Sequence, residues 1–216
     1  LEKIKQQPVW ICPNKKRVVP LKHYHYITVA KSTLEKFPQE IKNFIEDNNF
    51  YENNILIKDN SFDEFKYEKI IKVVKFFQKN NVWIDQKFVL NRVVNNMKIN
   101  NMLPAITFVF SQKKCETYAS QINQVLFEEG SKTPSIIEDE CKKTLMKLPN
   151  YKEYIHLPEY TNLIKILKKG IAIHHSGIMP IFREMVELLF SKGYIKVLFA
   201  TETFAVGINM PTKTVI

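Results

Sequence analysis

The chain has 216 residues, enough for one or two domains, and a single compact domain of that size buries roughly 70% of its unfolded surface. Thirty-two Lys and Arg against 22 Asp and Glu leave a formal charge of +10 at pH 7, which favours a polyanionic partner, although Lys is spread along the whole chain and part of it is solubilising surface. Cys12, Cys115 and Cys141 are odd in number and lack a Cys-x-x-Cys pair, so they indicate neither a disulfide framework nor a zinc site. A reducing compartment is expected. No apolar run approaches the roughly 20 residues that span a bilayer and the start has no secretory h-region, which points to an intracellular, cytoplasmic or nuclear setting rather than secretion.

Pro8 to Cys12 reads as a short strand, and residues 13 to 21, basic and bounded by prolines, as a linker. Residues 22 to 29 carry Tyr24, Tyr26, Thr28 and Val29 and predict a strand, with 54 to 58 as its hairpin-like partner and a weakly helical stretch at 39 to 48 between them. Two helical patterns follow. Over 64 to 79, Ile70, Val73, Val74 and Phe77 repeat at three-four spacing, and over 86 to 99 Phe88, Val89, Val93 and Met97 do the same, each stripe reading as a core face. The Asn-rich tract at 91 to 101 reads as compositional bias rather than a site.

Leu103 to Ser111 predicts a buried strand that ends in a hydroxyl and runs into a polar helix start at Gln112 to Glu116, where Ser111 equally suits a helix N-cap. Gly170 to Gly177 predicts a further strand running into a loop, and Pro180 suits the first turn of the next helix. In that helix Phe182, Met185, Val186, Leu189 and Phe190 form the inner face, Glu184 and Glu187 lie outside, and Gly193 can cap the end. Ile195 to Ala200 is short and apolar, as in a parallel strand covered on both faces. Strand, loop, helix, Gly, strand from 171 to 200 is a βαβ unit. Ligands of open α/β sheets collect at the carboxyl ends of such strands, where hydroxyls and backbone N–H groups can face a phosphate, and Thr201 sits at that point.

His23 and His25 would share one face of a strand, but no third metal ligand stands near them. Adjacent residues His174 and His175 point to opposite sides of a strand and cannot easily converge on a metal. No Ser-His-Asp or Cys-His order with supporting loops is present.

Ala200-Thr201-Glu202-Thr203-Phe204-Ala205-x-Gly207-Ile208-Asn209-Met210-Pro211 resembles motif V of superfamily two helicases, in the form used by the superkiller and exosome-associated DExH-box RNA helicases. Ser111-Gln112-Lys113-Lys114-Cys115-Glu116-x-Tyr118-Ala119 resembles motif IV of the same family. His174-His175-x-Gly177-x-x-Pro180 is similar to a third family pattern, with Ser176 where a second glycine is usual. Lys16-Arg17-Val18-Val19-Pro20-Leu21 resembles the passage between the family's two RecA-like lobes, with one proline lost and a looser linker expected. The likeness is close over about 103 to 216 and looser over 1 to 30, and the phrasing is nearer to the cytoplasmic superkiller type than to the nuclear exosome type.

The resemblance implies an α/β, RecA-like parallel sheet with helices on both faces, the C-terminal lobe of a P-loop NTPase helicase. Residues 1–21 would be the end of the first lobe and the linker, and residues 22–216 the second lobe, truncated after motif V. The chain contains no Gly-x-x-x-x-Gly-Lys-Ser/Thr and no Asp-Glu-x-His, so ATP and Mg2+ would be held mainly by a first lobe outside it, and no catalytic residue is assigned. Ser111, Gly177 and Thr201 would hold the sugar-phosphate of single-stranded RNA, Glu202 would support the motif V turn, and Gly207 and Asn209 would lie near the ATP ribose. The parent would be an ATP-dependent RNA helicase moving 3′ to 5′ for RNA decay or processing, partnered by its own first lobe and an RNA-decay complex and not by a membrane. Alternatives are a DNA helicase of the same superfamily and a non-catalytic RNA-binding or docking module derived from a helicase lobe.

Overall fold

The computed structural model describes residues 21–47, 55–58, 61–201 and 211–216. The chain divides into two compact units, Leu1–Ile27 with Ser32–Trp83, and Thr28–Lys31 with Ile84–Ile216. The expected strand at 8 to 12 and the linker up to residue 20 lie outside the described residues.

The first unit holds an antiparallel sheet of β1 (Lys22–Tyr24), β2 (Ile55–Lys58) and β3 (Ser61–Phe62), in that order. His23 pairs with Ile57 and Ile57 with Phe62, so the expected pairing of 54 to 58 with the first strand is present. The strand expected over 22 to 29 stops at Tyr24, next to an irregularity in the register between His23 and Tyr24. His25 therefore does not share a strand face with His23, and its ring stacks on Phe44 at 6.1 Å. The short helix α1 (Lys31–Leu34) is followed by α2 (Gln39–Asp47) and α3 (Glu64–Lys79). Asp63 caps α3 by accepting the Lys66 N–H at 2.9 Å, and the Lys66 ammonium donates to the Ile55 carbonyl at 2.8 Å, which ties the helix to β2. Phe37 packs against Phe76 and Phe77 with ring centroids 5.2 and 5.5 Å away, and Ile45 and Val73 are buried.

The second unit is built on a parallel sheet ordered β5-β6-β4-β7, from β4 (Ala105–Phe108), β5 (Ile171–His174), β6 (Val197–Ala200) and β7 (Thr214–Val215). Ala200 pairs with Phe108 on one side and with His174 on the other, so the carboxyl ends of three strands are in register. Side chains alternate across the sheet. Ile106, Ala172, Leu198 and Ala200 face a core with α6 (Thr133–Leu145), α8 (Pro158–Leu167) and α9 (Pro180–Ser191), with α7 (Tyr151–Ile155) at its margin. Ala105, Ile171, Val197 and Phe199 face the opposite core, with α4 (Gln86–Ile99) and α5 (Gln112–Gln121). Each fully buried Leu, Ile or Phe in these layers contributes about 1.5 to 3 kcal/mol.

The helix ends show how local sequence sets these boundaries. After α9, Gly193 at φ +75° donates to Phe190, and Tyr194 donates back to Leu189, the paired bonds of a left-handed cap. Asparagine does the same work after α3 and α4, where Asn81 and Asn101 have φ +46° and +54° and the residues after them, Val82 and Met102, donate back to Phe77 and Met97. The Asn-rich tract is thus structural. Asn91, on α4, donates from Nδ2 to the carbonyls of Lys87 and Gln121, both at 2.9 Å, and accepts the Asn123 N–H at Oδ1, also at 2.9 Å. It fastens α4 to the turn that follows α5.

The helices α6, α7 and α8 were not read from the sequence, although Ile137, Cys141 and Leu145, all buried, stand at i, i+4 and i+8. Lys168 and Lys192 pair with Glu138 and Glu140 of α6, and these side-chain hydrogen bonds hold both carboxyls below their ordinary range. Replacing Asn91 with Ala leaves the Gln121 carbonyl and the Asn123 N–H without these partners, so Asn91→Ala should lower unfolding stability by about 1 to 3 kcal/mol. Urea denaturation measures this, and Asn95→Ala on the same helix provides the control.

Candidate functional site

Three loops leave the carboxyl edge of the parallel sheet side by side, because β6 lies between β4 and β5. The Val109 N–H donates to Ala200 O at 2.8 Å, and the Thr201 N–H donates to His174 O at 3.1 Å, so the chain beyond each strand is pinned to its neighbour. Ser111, Gly177 and Thr201 leave this edge from β4, β5 and β6 respectively. Glu202, Gly207 and Asn209 lie outside the described residues.

Ser111 has extended backbone and caps α5, its hydroxyl accepting the Lys114 N–H at 3.4 Å. The capping contact uses an oxygen lone pair, and the hydroxyl proton is a separate resource that can point at an anionic acceptor. Capping and anion binding are therefore compatible at this residue. Thr201 is half-buried directly after β6.

The loop after β5 is gripped by α5 through two side chains one helical turn apart. Gln112 donates from Nε2 to Ser176 Oγ at 2.9 Å, and Glu116 Oε1 lies 3.3 Å from His175 Nε2. The Gly177 N–H turns inward and donates to His175 Nδ1 at 3.2 Å. An imidazole that accepts at Nδ1 carries its proton on Nε2 when neutral, and that buried nitrogen makes no hydrogen bond, the Glu116 carboxylate being its electrostatic neighbour at 3.3 Å. His175 is 2% exposed, and burial pushes its pKa below the ordinary value, against the upward pull of Glu116. A Cβ on Gly177 would lie 2.6 Å from Gln112 Oε1, so this position and the Gln112 side chain are fitted to each other. With its N–H engaged, what Gly177 offers a ligand is close approach of the backbone.

His174 points the other way, with Nε2 2.7 Å from Glu187 Oε1 on α9. The divergence of the two histidines agrees with the strand geometry, but Glu187 is not on an outward face as expected. It turns back to satisfy a histidine that is 4% exposed. Burial pushes the Cys115 thiol up to about 11 and the Cys141 thiol up to about 12, so neither is a thiolate at neutral pH. Gln112 and Glu116 were missed as residues of this edge. The spacing of 112 and 116 on a helix that opens at the strand end was the available signal, but their partners become visible only when β5 is beside β4 in space.

The parallel sheet with helices on both faces and its three aligned strand-end loops define a RecA-like α/β lobe. No protein-family model matches the chain. The chain is 33% identical over 218 residues to the DExH-box ATP-dependent RNA helicase DExH9 of Arabidopsis thaliana, an alignment covering 99% of this chain and 21% of that protein. It is 46% identical over 124 residues to the antiviral helicase SKI2 of Saccharomyces cerevisiae, covering 57% of this chain and 9% of that protein. To the human exosome RNA helicase MTR4 it is 42% identical over 125 residues, covering 58% of this chain and 12% of that protein. The chain belongs to the superfamily two DExH-box RNA helicases of the superkiller and exosome-associated type. It spans between about a tenth and a fifth of the length of these relatives.

His175 also sets a pH dependence. Its folded pKa is lower than its unfolded one, so the unfolded chain binds the extra proton more readily, and the contribution to stability is full above the unfolded value near 6.5 and is lost as pH falls below it. Thermal melts from pH 7.5 to 5 should show a falling midpoint, and His175→Asn, whose Oδ1 can still accept the Gly177 N–H, should flatten that slope.

Proposed function

We propose that this chain is part of an ATP-dependent RNA helicase that translocates 3′ to 5′ and unwinds RNA for decay or processing. Its parallel-sheet unit supplies the sheet of the second RecA-like lobe. ATP and Mg2+ are held mainly by a first lobe, whose closure on the second encloses a single strand, and hydrolysis reopens the pair so that each cycle shifts the lobes along the backbone. Ser111, Gly177 and Thr201 hold the sugar-phosphate, Glu202 supports the turn after Thr201, and Gly207 and Asn209 approach the ATP ribose. The second lobe runs through residues 22–216, with 1–21 as the end of the first lobe and the interlobe linker. By itself the chain hydrolyses no ATP, and inside the cell its protein works with an RNA-decay complex.

The observation that supports this reading is the meeting of three strand-end loops with hydroxyls and a glycine at one sheet edge, within the segment whose sequence follows the family's motifs. The net charge of +10 adds a general attraction for a polyanion. A lobe that touches a few phosphates of a single strand releases about 0.7 counterion per contact, so affinity should fall with salt and show little sequence preference. Phosphate contacts do not read the sugar, and paired unwinding assays on RNA and DNA duplexes separate the RNA enzyme from a DNA helicase. Ablated RNA-stimulated hydrolysis in the intact protein would instead favour a non-catalytic module.

Thr201→Val is the sharpest test because it removes the hydroxyl at nearly constant shape. In the full-length protein it should weaken apparent RNA affinity by about 0.5 to 3 kcal/mol and lower RNA-stimulated ATPase, with an unchanged melting temperature. A lowered melting temperature with wild-type RNA response would show that Thr201 only shapes a turn.

A further inference from the structure

Phe110 sits between the end of β4 and the Ser111 cap of α5 and is 83% exposed, the highest value for a large apolar side chain among the described residues. In the same unit Phe182, Phe190 and Phe199 are 1% exposed or less, so this ring forgoes the burial that the others gain. Its backbone is nevertheless fixed on both sides. The preceding Val109 N–H is bonded to Ala200 O at 2.8 Å, and the following Ser111 carbonyl accepts the Cys115 N–H at 2.9 Å. The ring therefore projects from a rigid strand-to-helix corner and not from a loose loop.

The surroundings select one kind of occupant. Ser111 and Gln112 follow Phe110 directly, Gln112 reaches Ser176 across the edge, and the exposed Lys113 and Lys114 come next. Residues 109 to 114 contain no carboxylate, and Glu116, the first after them, turns to His175. A flat apolar face beside hydroxyls and ammonium groups matches a ligand with π-faced rings on an anionic backbone. A purely apolar peptide face would cover the ring and leave the lysines without a counterpart.

We propose that Phe110 is a stacking platform for a nucleobase of the bound single strand, adding base-dependent affinity to the phosphate contacts of the same edge. This rests on the reading of that edge as a nucleic-acid site. Every base has a π-face, so the contact tolerates any sequence, but a base paired and stacked within a duplex cannot present that face. Phe110 would thereby favour unpaired over paired strands.

The test uses fluorescence anisotropy on the 216-residue chain with two labelled probes of equal length, oligouridylate and a ribose-phosphate strand lacking bases. Wild type should bind oligouridylate more tightly. Phe110→Ala should lose about 5- to 150-fold on oligouridylate and nothing on the abasic strand, Phe110→Tyr should retain wild-type binding, and neither change should move the melting temperature. Unchanged oligouridylate binding by Phe110→Ala, with its salt dependence intact, would overturn the stacking role and leave the phosphate reading standing. Equal losses on both probes would overturn it in favour of support for the backbone. Failure of wild type to bind either probe would overturn the underlying reading and the platform together.

Discussion

The second unit depends on one strand. Val197, Leu198, Phe199 and Ala200 of β6 are each 1% exposed or less, and the strand is bonded to β5 on one edge and β4 on the other. A strand in that position must be apolar on both faces, and the helices on either side of the sheet exist to cover it. The parallel register with both neighbours also brings three strand ends to one level. The functional edge is thus a consequence of the same pairing that organises the core.

Aligned strand ends would be of little use if the loops beyond them wandered. Backbone bonds from Val109 and Thr201 to the adjacent strands, with the two-point grip of α5 on His175 and Ser176, hold three separate segments as one surface. Buried, neutral His175 is the hinge of this arrangement, since one ring nitrogen positions the Gly177 backbone and the other faces Glu116. A ligand meeting such a surface pays little ordering entropy, which is the physical content of preorganisation.

Much of this was legible in the sequence. The helices at 64 to 79 and 86 to 99 fall where the three-four apolar spacing put them, but of the expected stripes only Val73 and Met97 are buried, Val74 is exposed, and Val94 is buried in place of its neighbour Val93. Ser111, Gly177 and Thr201 stand beyond the ends of β4, β5 and β6, where the sequence placed them, since strand ends and the loops after them are local features. What stayed hidden depends on contacts between segments distant in sequence. Glu187 looked outward by periodicity, yet a buried histidine 13 residues away recruits it. Asn91 looked like compositional bias because its partners stand about 30 positions further on. The strand expected to reach residue 29 stops at Tyr24, after an irregularity in its register with β2 between His23 and Tyr24 that alternation along the sequence does not reveal.

The central claim is that the carboxyl edge of the parallel sheet is the surface that meets a single nucleic-acid strand. Hydrogen exchange with and without single-stranded RNA measures this directly, because it reports backbone protection segment by segment. The account predicts that added RNA slows exchange in 109–114, in 174–178 and at Thr201, and leaves the opposite edge around Gly170 and Lys196 unchanged. Protection confined to the helices from 133 to 167, or to the amino ends of the strands, would contradict it.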